Sequence, residues 1–476
     1  MRPATEPERT RRPPLAWALT ALSLSMLLPS LSISVANVGL PTMAVAFDAA
    51  FNEVQWVVIA YLLAITTLIV GVGRLGDLVG RRPLLLGGIA VFTLATLLCG
   101  LAPNLPLLVA ARALQGVGAA CMMALTMAFV GETVPEDRTG SVMGLLGTMS
   151  AVGTALGPSL GGVLIEVFGW RAIFLVGVPL GLVALALTLR VLPDDAPATT
   201  HRRFDVVGMA LLAITLGAYA LAMTVDGDSF GPLAVGLLVV TGAGLALFVV
   251  TERRVAAPLV TLSLFRDPVL AAGLTTSALV STVMMTTLVV GPFHLAHALG
   301  LDPALVGLAM SAGPAVSALA GVPAGRATDR FGAPAMVVVG LGGIIGGAVV
   351  LSVMPTAAGV LGYVLPLVAV TACYALFQAA NNTAVMKDVA PHRRGLVSGL
   401  LNLSRNLGLM TGASVMGTVF AFSAGTGDVT TAASAEVARG THRTFAVAAL
   451  LVAFGLSVVL VLRLRSRSGG SRVTRR

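Results

Sequence analysis

The sequence predicts an all-α, polytopic membrane protein: two pseudo-symmetric six-helix bundles with two additional helices between them. Three observations carry the prediction. The chain of 476 residues is 57% hydrophobic and only 11% charged, whereas soluble domains carry about 25% charged residues. Apolar runs of roughly 20 residues, long enough to cross the hydrocarbon core, recur along the chain. A polar loop, G-R-x-x-D-x-x-G, occurs twice between such runs, at Gly73–Gly80 and at Gly325–Gly332. One copy per half marks an internal duplication. The runs are too long and too uniformly apolar to be strands of a membrane barrel.

Fourteen spans are expected, at 15–38, 54–72, 83–102, 106–130, 141–164, 172–192, 206–224, 231–250, 268–292, 303–323, 335–354, 358–381, 395–421 and 443–462. The net charge of +9 raises the question of nucleic acid, and the positions of the charges argue against it. With the N-terminus inside, cytoplasmic segments hold 25 of the 30 Lys and Arg. Only Arg171, Arg439 and Arg443 fall outside, and Arg112 and Arg405 fall within spans. That asymmetry puts both termini in the cytoplasm. An alternative reads Arg11-Arg12 as a twin-arginine signal with cleavage near Ser34-Val35-Ala36. Cleavage would leave thirteen spans and break the match between basic loops and one face. Cys99, Cys121 and Cys373 all fall inside spans and are read as small packing residues, with no disulfide expected.

In chain order, residues 1–14 form a polar, Pro-rich tail expected to be disordered. Residues 15–192 form the first six-helix bundle. Residues 193–267 hold two linkers and two extra spans, joined outside by Asp226-Gly227-Asp228. Residues 268–464 form the second bundle, and 465–476 a basic cytoplasmic tail. Pro135 and Gly144 in one half answer Pro391 and Gly399 in the other at nearly the offset of the repeated loop.

These residues resemble a known family. Gly73 to Pro83 is similar to the signature between the second and third helices of the major facilitator superfamily. The arrangement of six, two and six spans resembles its fourteen-helix drug:proton antiporter branch. Arg112-Ala113-Leu114-Gln115-Gly116-Val117-Gly118 resembles the fourth-helix arginine motif. Gly153 to Gly162, with Gly157-Pro158 and Gly161, resembles the fifth-helix antiporter motif. Gln55-Trp56-Val57-Val58 with Tyr61-Leu62 resembles the start of the branch's second helix. The resemblance spans roughly residues 15 to 465 and implies the superfamily's fold with an exporter's function.

The physical reading of the motifs stands beside the resemblance. In the loop, Gly73 and Gly80 permit a tight turn and close helix approach. A carboxylate at Asp77 can sit against a helix N-terminus or pair with an arginine. The resemblance implies that Asp77 latches the two halves in the outward-open state, with Arg81 and the acids Glu132, Glu136 and Asp137 as candidate partners. The alternative is that Arg74, Arg81 and Arg82 only anchor the topology. Asp329 is the second copy, expected to be weaker because Ala333-Pro334 replaces Arg81-Arg82. On the fifth span, Gly153, Gly157 and Gly161 are four residues apart and form one flat stripe. Pro158 permits a bend. Together with Gly162 they are read as a gating helix, with static close packing as the alternative. Gly408 and Gly412 are a looser counterpart.

None of the 21 Asp and Glu residues lies mid-span. Arg112 and Arg405 do, and an arginine at membrane depth usually faces a cavity and has a purpose. Asn381, Asn382 and Gln378 are candidate neighbours of Arg405. The branch often carries an aspartate in the first span ahead of Asn-Val-x-Leu-Pro. Here Asn37-Val38-Gly39-Leu40-Pro41 is present, but Ser32 stands at the aspartate position. Ser32, Asn37, Arg112, Gln115, Glu132, Asn381, Asn382 and Arg405 are therefore the cavity and coupling candidates. With no mid-span acid, Asp77 and Glu132 are the best proton carriers. His294 and His297 are read as interfacial, with titration near neutral pH as the alternative. Met122, Met123, Met284 and Met285 are candidate pocket walls. The charge balance favours neutral, zwitterionic or acidic cargo.

The function expected is proton-driven export of amphipathic small molecules by alternating access, in the inner or plasma membrane of the cell. The cargo should bind at mid-membrane between the halves. No cofactor is expected beyond the proton gradient. The partners are cargo, protons and the bilayer, with no nucleic acid, and a monomer should suffice. The rival on the same fold is an uptake carrier. An enzyme is disfavoured, because the sequence shows no paired carboxylates, metal-spaced His/Cys cluster or phosphate loop.

Overall fold

The computed structural model describes residues 15–49, 51–54, 56–134, 138–192, 205–223, 231–255, 258, 260, 262–301, 303–390, 393–424 and 433–473. Both terminal tails are affected: 1–14 and 474–476 lie outside, as do the first linker, Asp226-Gly227-Asp228, Gln55, Glu136 and Asp137. The described residues form helices and short connections. The first half holds α1 (Leu15–Phe47), α2 (Trp56–Val79), α3 (Arg81–Leu101), α4 (Leu105–Thr133), α5 (Thr139–Phe168) and α6 (Gly177–Val191). The inserted pair is α7 (Val206–Ala222) and α8 (Pro232–Arg254). The second half holds α9 (Pro268–Phe293), α10 (Pro303–Phe331), α11 (Ala333–Val353), α12 (Gly359–Met386), α13 (Arg394–Thr411) and α14 (Ser434–Val473).

Eleven helices among the described residues are long and apolar enough to cross a membrane. The other three predicted spans are helical too. α5 has 30 residues, or roughly 45 Å of helix. α7 is apolar but has only 17 residues. α13 carries Asn402 and Arg405 and continues through a π-turn, Gly412–Met416, into Gly417–Ala424.

Several boundaries differ from those predicted. The polar loop is not a hinge of several residues: α2 runs to Val79 and α3 begins at Arg81, with Gly80 alone between them at φ 111°. Its copy repeats this, with Gly332 at φ 84° between α10 and α11. Only glycine takes such a backbone at little cost, so one residue suffices to reverse the chain. α14 runs on through 465–473, past the end of the last expected span. Extending an existing helix is cheap once it is nucleated, and no proline intervenes.

The duplication is visible in the packing. α1 packs on α4, α5 and α6, α2 on α4, and α3 on α4 and α6. The same six pairings recur eight helices later: α9 on α12, α13 and α14, α10 on α12, and α11 on α12 and α14. The halves meet where α5 crosses α10 and α12, and where α13 crosses α2 and α4. Between the halves lies the inserted pair, with α7 packed on α8 and α2. Met209 of α7 fills the space over Gly71, and the Tyr219 and Thr411 hydroxyls hydrogen-bond to join α7 to α13. α8 exposes Leu233, Val239, Leu245 and Leu247 and buries little, as a helix facing lipid would.

The glycine stripe packs α5 against α1, inside the first half. A Cβ on Gly157 would lie 2.2 Å from Ser34 Oγ, and one on Gly153 would lie 2.6 Å from Leu27 O. Ser34 donates to Thr154 O at 2.6 Å, and the Ser30 and Ser150 hydroxyls pair at 2.7 Å. The stripe is narrower than expected: a Cβ on Gly161 makes ordinary contact at 3.6 Å, and one on Gly162 meets nothing within 4 Å. The side chain of Pro158 lies outside the described residues. The counterpart on α13 is just as close, since a Cβ on Gly408 would lie 2.3 Å from Ala278 O and one on Gly412 would lie 2.6 Å from Thr282 O. Gly157→Leu should therefore destabilise the protein by about 1–3 kcal/mol by overpacking. It should slow transport far more than Gly162→Leu, as measured by thermal unfolding and reconstituted transport. Equal transport by the two variants would remove the stripe from the gating mechanism.

Candidate functional site

Two carboxylates fasten one half of the molecule to the other. Asp77 is one turn from the end of α2. Its Oδ1 accepts from Gly395 N at 2.9 Å and its Oδ2 from Leu396 N at 3.0 Å. These belong to the first turn of α13, where backbone N–H groups have no partner in their own helix and the helix dipole is positive. The approach requires glycine on both sides. A Cβ on Gly73 would lie 2.2 Å from Gly395 O, and one on Gly395 would lie 2.7 Å from Asp77 Oδ1. Arg81 donates to Asp77 Oδ1 from Nη2 at 2.9 Å and from Nε at 3.3 Å, with both side chains buried. Arg81 was one of the partners expected of Asp77, beside Glu132, Glu136 and Asp137. Its ion pair is with Asp77 itself, four residues away on one helical face. The side chain of Glu132 lies outside the described residues.

Asp329 repeats the arrangement in the opposite direction. Lying near the end of α10, it accepts from Gly140 N at 2.8 Å, Ser141 N at 2.9 Å and Ser141 Oγ at 2.5 Å, at the start of α5. Where the first copy has Arg81, this one has the Ser141 hydroxyl. Gly144 and Gly321 let the two helices touch here, since a Cβ on Gly144 would lie 2.2 Å from Gly321 O. Sequence reasoning missed two further ties. Ser398 of α13 donates to Ala124 O of α4 at 2.5 Å, and Asn402 Nδ2 reaches Met123 O at 3.4 Å. Two polar residues four apart in a predicted span were the available signal.

Arg112 is fully buried near the start of α4. Its Nε donates to Val57 O at 2.8 Å. Its Nη1 donates to Ser32 Oγ at 2.8 Å and Gln115 Oε1 at 2.5 Å. Gln115 in turn donates to Thr96 Oγ1 at 2.6 Å. The guanidinium carbon lies 4.1 Å from the centre of the Tyr61 ring, a cation–π contact. The structure thus brings Ser32, Arg112 and Gln115 together. Asn37 is not among them; its side chain is exposed and returns to Ile33 O of its own helix at 3.1 Å. A narrow cleft beside this cluster, with a cavity volume of about 20 Å³, is lined by Ser32, Phe92, Thr96, Gln115, Ile173 and Phe174, among others. It lies inside the first bundle.

Arg405 is half-buried on α13, and its Nε has no hydrogen-bond partner. Asn381 donates to Gly273 O at 3.1 Å and ties α12 to α9. Asn382 is buried on the same helix. His294 is buried and stacks on Tyr363 at 5.4 Å. Met122 and Met123 are buried in a core cluster that also takes in Leu396, Leu400 and Leu401 of α13.

The chain belongs to the major facilitator superfamily: the model of that family matches residues 22–413. It is 32% identical over 410 residues to the multidrug resistance protein Stp of Mycobacterium tuberculosis, covering 85% of this chain and 75% of that one. It is 31% identical over 422 residues to the multidrug efflux pump LfrA of Mycolicibacterium smegmatis, covering 87% and 82%. The riboflavin transporter RibZ of Clostridioides difficile is 27% identical over 405 residues, covering 85% and 88%. The fold is shared with the proton:xylose symporter XylE, with a TM-score of 0.64 at 15% identity over 92% of this chain and 94% of that one.

Asp77→Asn keeps the shape but removes the charge that the α13 N-terminus and Arg81 bind. Charge-assisted hydrogen bonds of this kind contribute about 1.5–3 kcal/mol each. The variant should insert and express normally while transport falls roughly tenfold or more, and Asp329→Asn should act in the same direction. Full transport by a normally expressed Asp77→Asn protein would rule out the latch.

Proposed function

We propose that the protein is a proton-coupled exporter of amphipathic small molecules, working by alternating access as a monomer in the cell membrane. The reading places it in the fourteen-helix drug:proton antiporter branch, with both termini cytoplasmic and α5, α7 and α13 crossing with the other eleven helices. The observation that carries it is the reciprocal pair of carboxylates, each seated on a helix N-terminus of the opposite half. Such contacts close one end of the molecule and can be broken without unfolding either bundle. On the cytoplasmic face, where the charge pattern puts these loops, they hold the inside shut. Relatives named as drug efflux pumps support export. Proton coupling is assigned to groups near the span ends, with Asp77 and Glu132 as carriers, because no acid lies mid-span. No cofactor and no covalent chemistry are involved.

A metabolite carrier is the second reading, favoured by the relative named as a riboflavin transporter. Inverted membrane vesicles energised acid-inside separate the two. A fluorescent amphipathic dye should accumulate inside them, and a protonophore should abolish the accumulation. Accumulation driven only by the opposite gradient would establish uptake.

Topology is tested independently. Cysteine labels at both termini should react only from the cytoplasmic side.

A further inference from the structure

We infer that Arg112, Ser32 and Gln115 form a binding site for a single small negative charge of carboxylate type. The charge is either a carboxylate borne by the cargo or a small inorganic anion such as chloride. The cargo source rests on the export reading above; the site itself does not.

The argument begins with what Arg112 lacks. All its hydrogen-bond partners among the described residues are neutral: a backbone carbonyl, a hydroxyl and an amide oxygen. Its Nη2 is buried and has no hydrogen-bond partner. A fully buried guanidinium without a counter-charge is expensive in a low-dielectric interior. The residue placed to supply that charge is Ser32, which offers Nη1 a neutral oxygen instead.

The surroundings suit an arriving anion. Ser32 and Gln115, which accept from Nη1, both line the cleft, as does Phe174, whose ring centre is 5.8 Å from the guanidinium carbon. The Thr96 hydroxyl is committed, donating to Phe92 O at 2.6 Å while accepting from Gln115. Among the described residues the Ser32 hydroxyl only accepts from Arg112, so its proton is available to an anion in the cleft. The remaining wall, Leu28, Leu31 and Ile173, is apolar. A charge in the cleft would meet the Ser32 hydroxyl directly and the Arg112 guanidinium across Ser32 and Gln115, an arrangement that suits one small anionic group better than a phosphate or a cation.

The test is equilibrium binding of benzoate and of chloride to the purified full-length protein in detergent, with no gradient. The native protein should bind at least one of them saturably at one site. Ser32→Asp, which builds the counter-charge into the chain, should weaken that binding roughly tenfold or more, and Arg112→Gln should abolish it. Ser32→Asn, uncharged and similar in size to Asp, should keep most of it, which separates charge from bulk. Displacement of chloride by benzoate would identify the cargo-type carboxylate as the occupant. Chloride binding that benzoate does not displace would identify an inorganic-anion site. No saturable binding to the folded native protein, or equal binding by Ser32→Asp, overturns the inference. Because no transport is read, this outcome is independent of the direction and coupling of export.

Discussion

The structure depends on an oxygen–nitrogen contact made across the seam between its halves. A helix N-terminus carries backbone N–H groups that its own turns cannot satisfy and a partial positive charge. Asp77 supplies the acceptor for α13, and Asp329 supplies it for α5. Each acid belongs to one half and each helix to the other, so neither of these two helix N-termini is completed by its own half. The cost of leaving those N–H groups and carboxylates unpaired holds the bundles together. Water can take over the same bonds if the seam opens. This makes the contact reversible in a way that apolar packing between the bundles would not be.

Glycine makes that contact geometrically possible. At Gly73 and Gly395, and again at Gly144 and Gly321, the backbones are so close that a single added carbon would collide with a carbonyl oxygen. In lipid there is little hydrophobic force between helices, so association rests on such close packing and on hydrogen bonds. The seam uses both. Backbone proximity carries α5 against α10, while Ser398 and Asn402 add side-chain bonds between α13 and α4. The two sides of the seam are therefore related by duplication but not chemically equal, as Arg81 on one and Ser141 on the other also show.

The cluster around Arg112 follows a different economy. Here a buried charge is held by neutral oxygens and an aromatic face and has no opposing charge among its described partners. Hydrogen bonds and a ring quadrupole stabilise a guanidinium but do not cancel its field. The first bundle thus keeps a positive centre next to a cleft, and the second bundle keeps Arg405 half-buried on α13 with its Nε unpartnered.

The fold class, the duplication and the importance of Asp77, Asp329 and Arg112 were legible in the chain, because hydropathy, repeated spacing and the cost of charge in lipid are local properties. The glycine spacing pointed to α5 as a close-packed helix for the same reason. What each residue touches was not legible. The bond of Asn381 to Gly273, the burial of His294 and the Ser398 and Asn402 ties across the seam were not anticipated. Partners in these cases come from other helices, often from the other half, and their distances depend on how whole helices cross. That Gly162 faces open space while Gly157 meets Ser34 is a matter of helix rotation, which a four-residue spacing leaves undetermined. The sequence by itself determined that this is a duplicated helical membrane protein with two acidic loops and two charges inside its spans. Only the tertiary structure decided that the acids cap helices of the opposite half and that Ser32 faces Arg112, because hydrogen bonding is set by distances of a few ångströms between segments far apart in the chain.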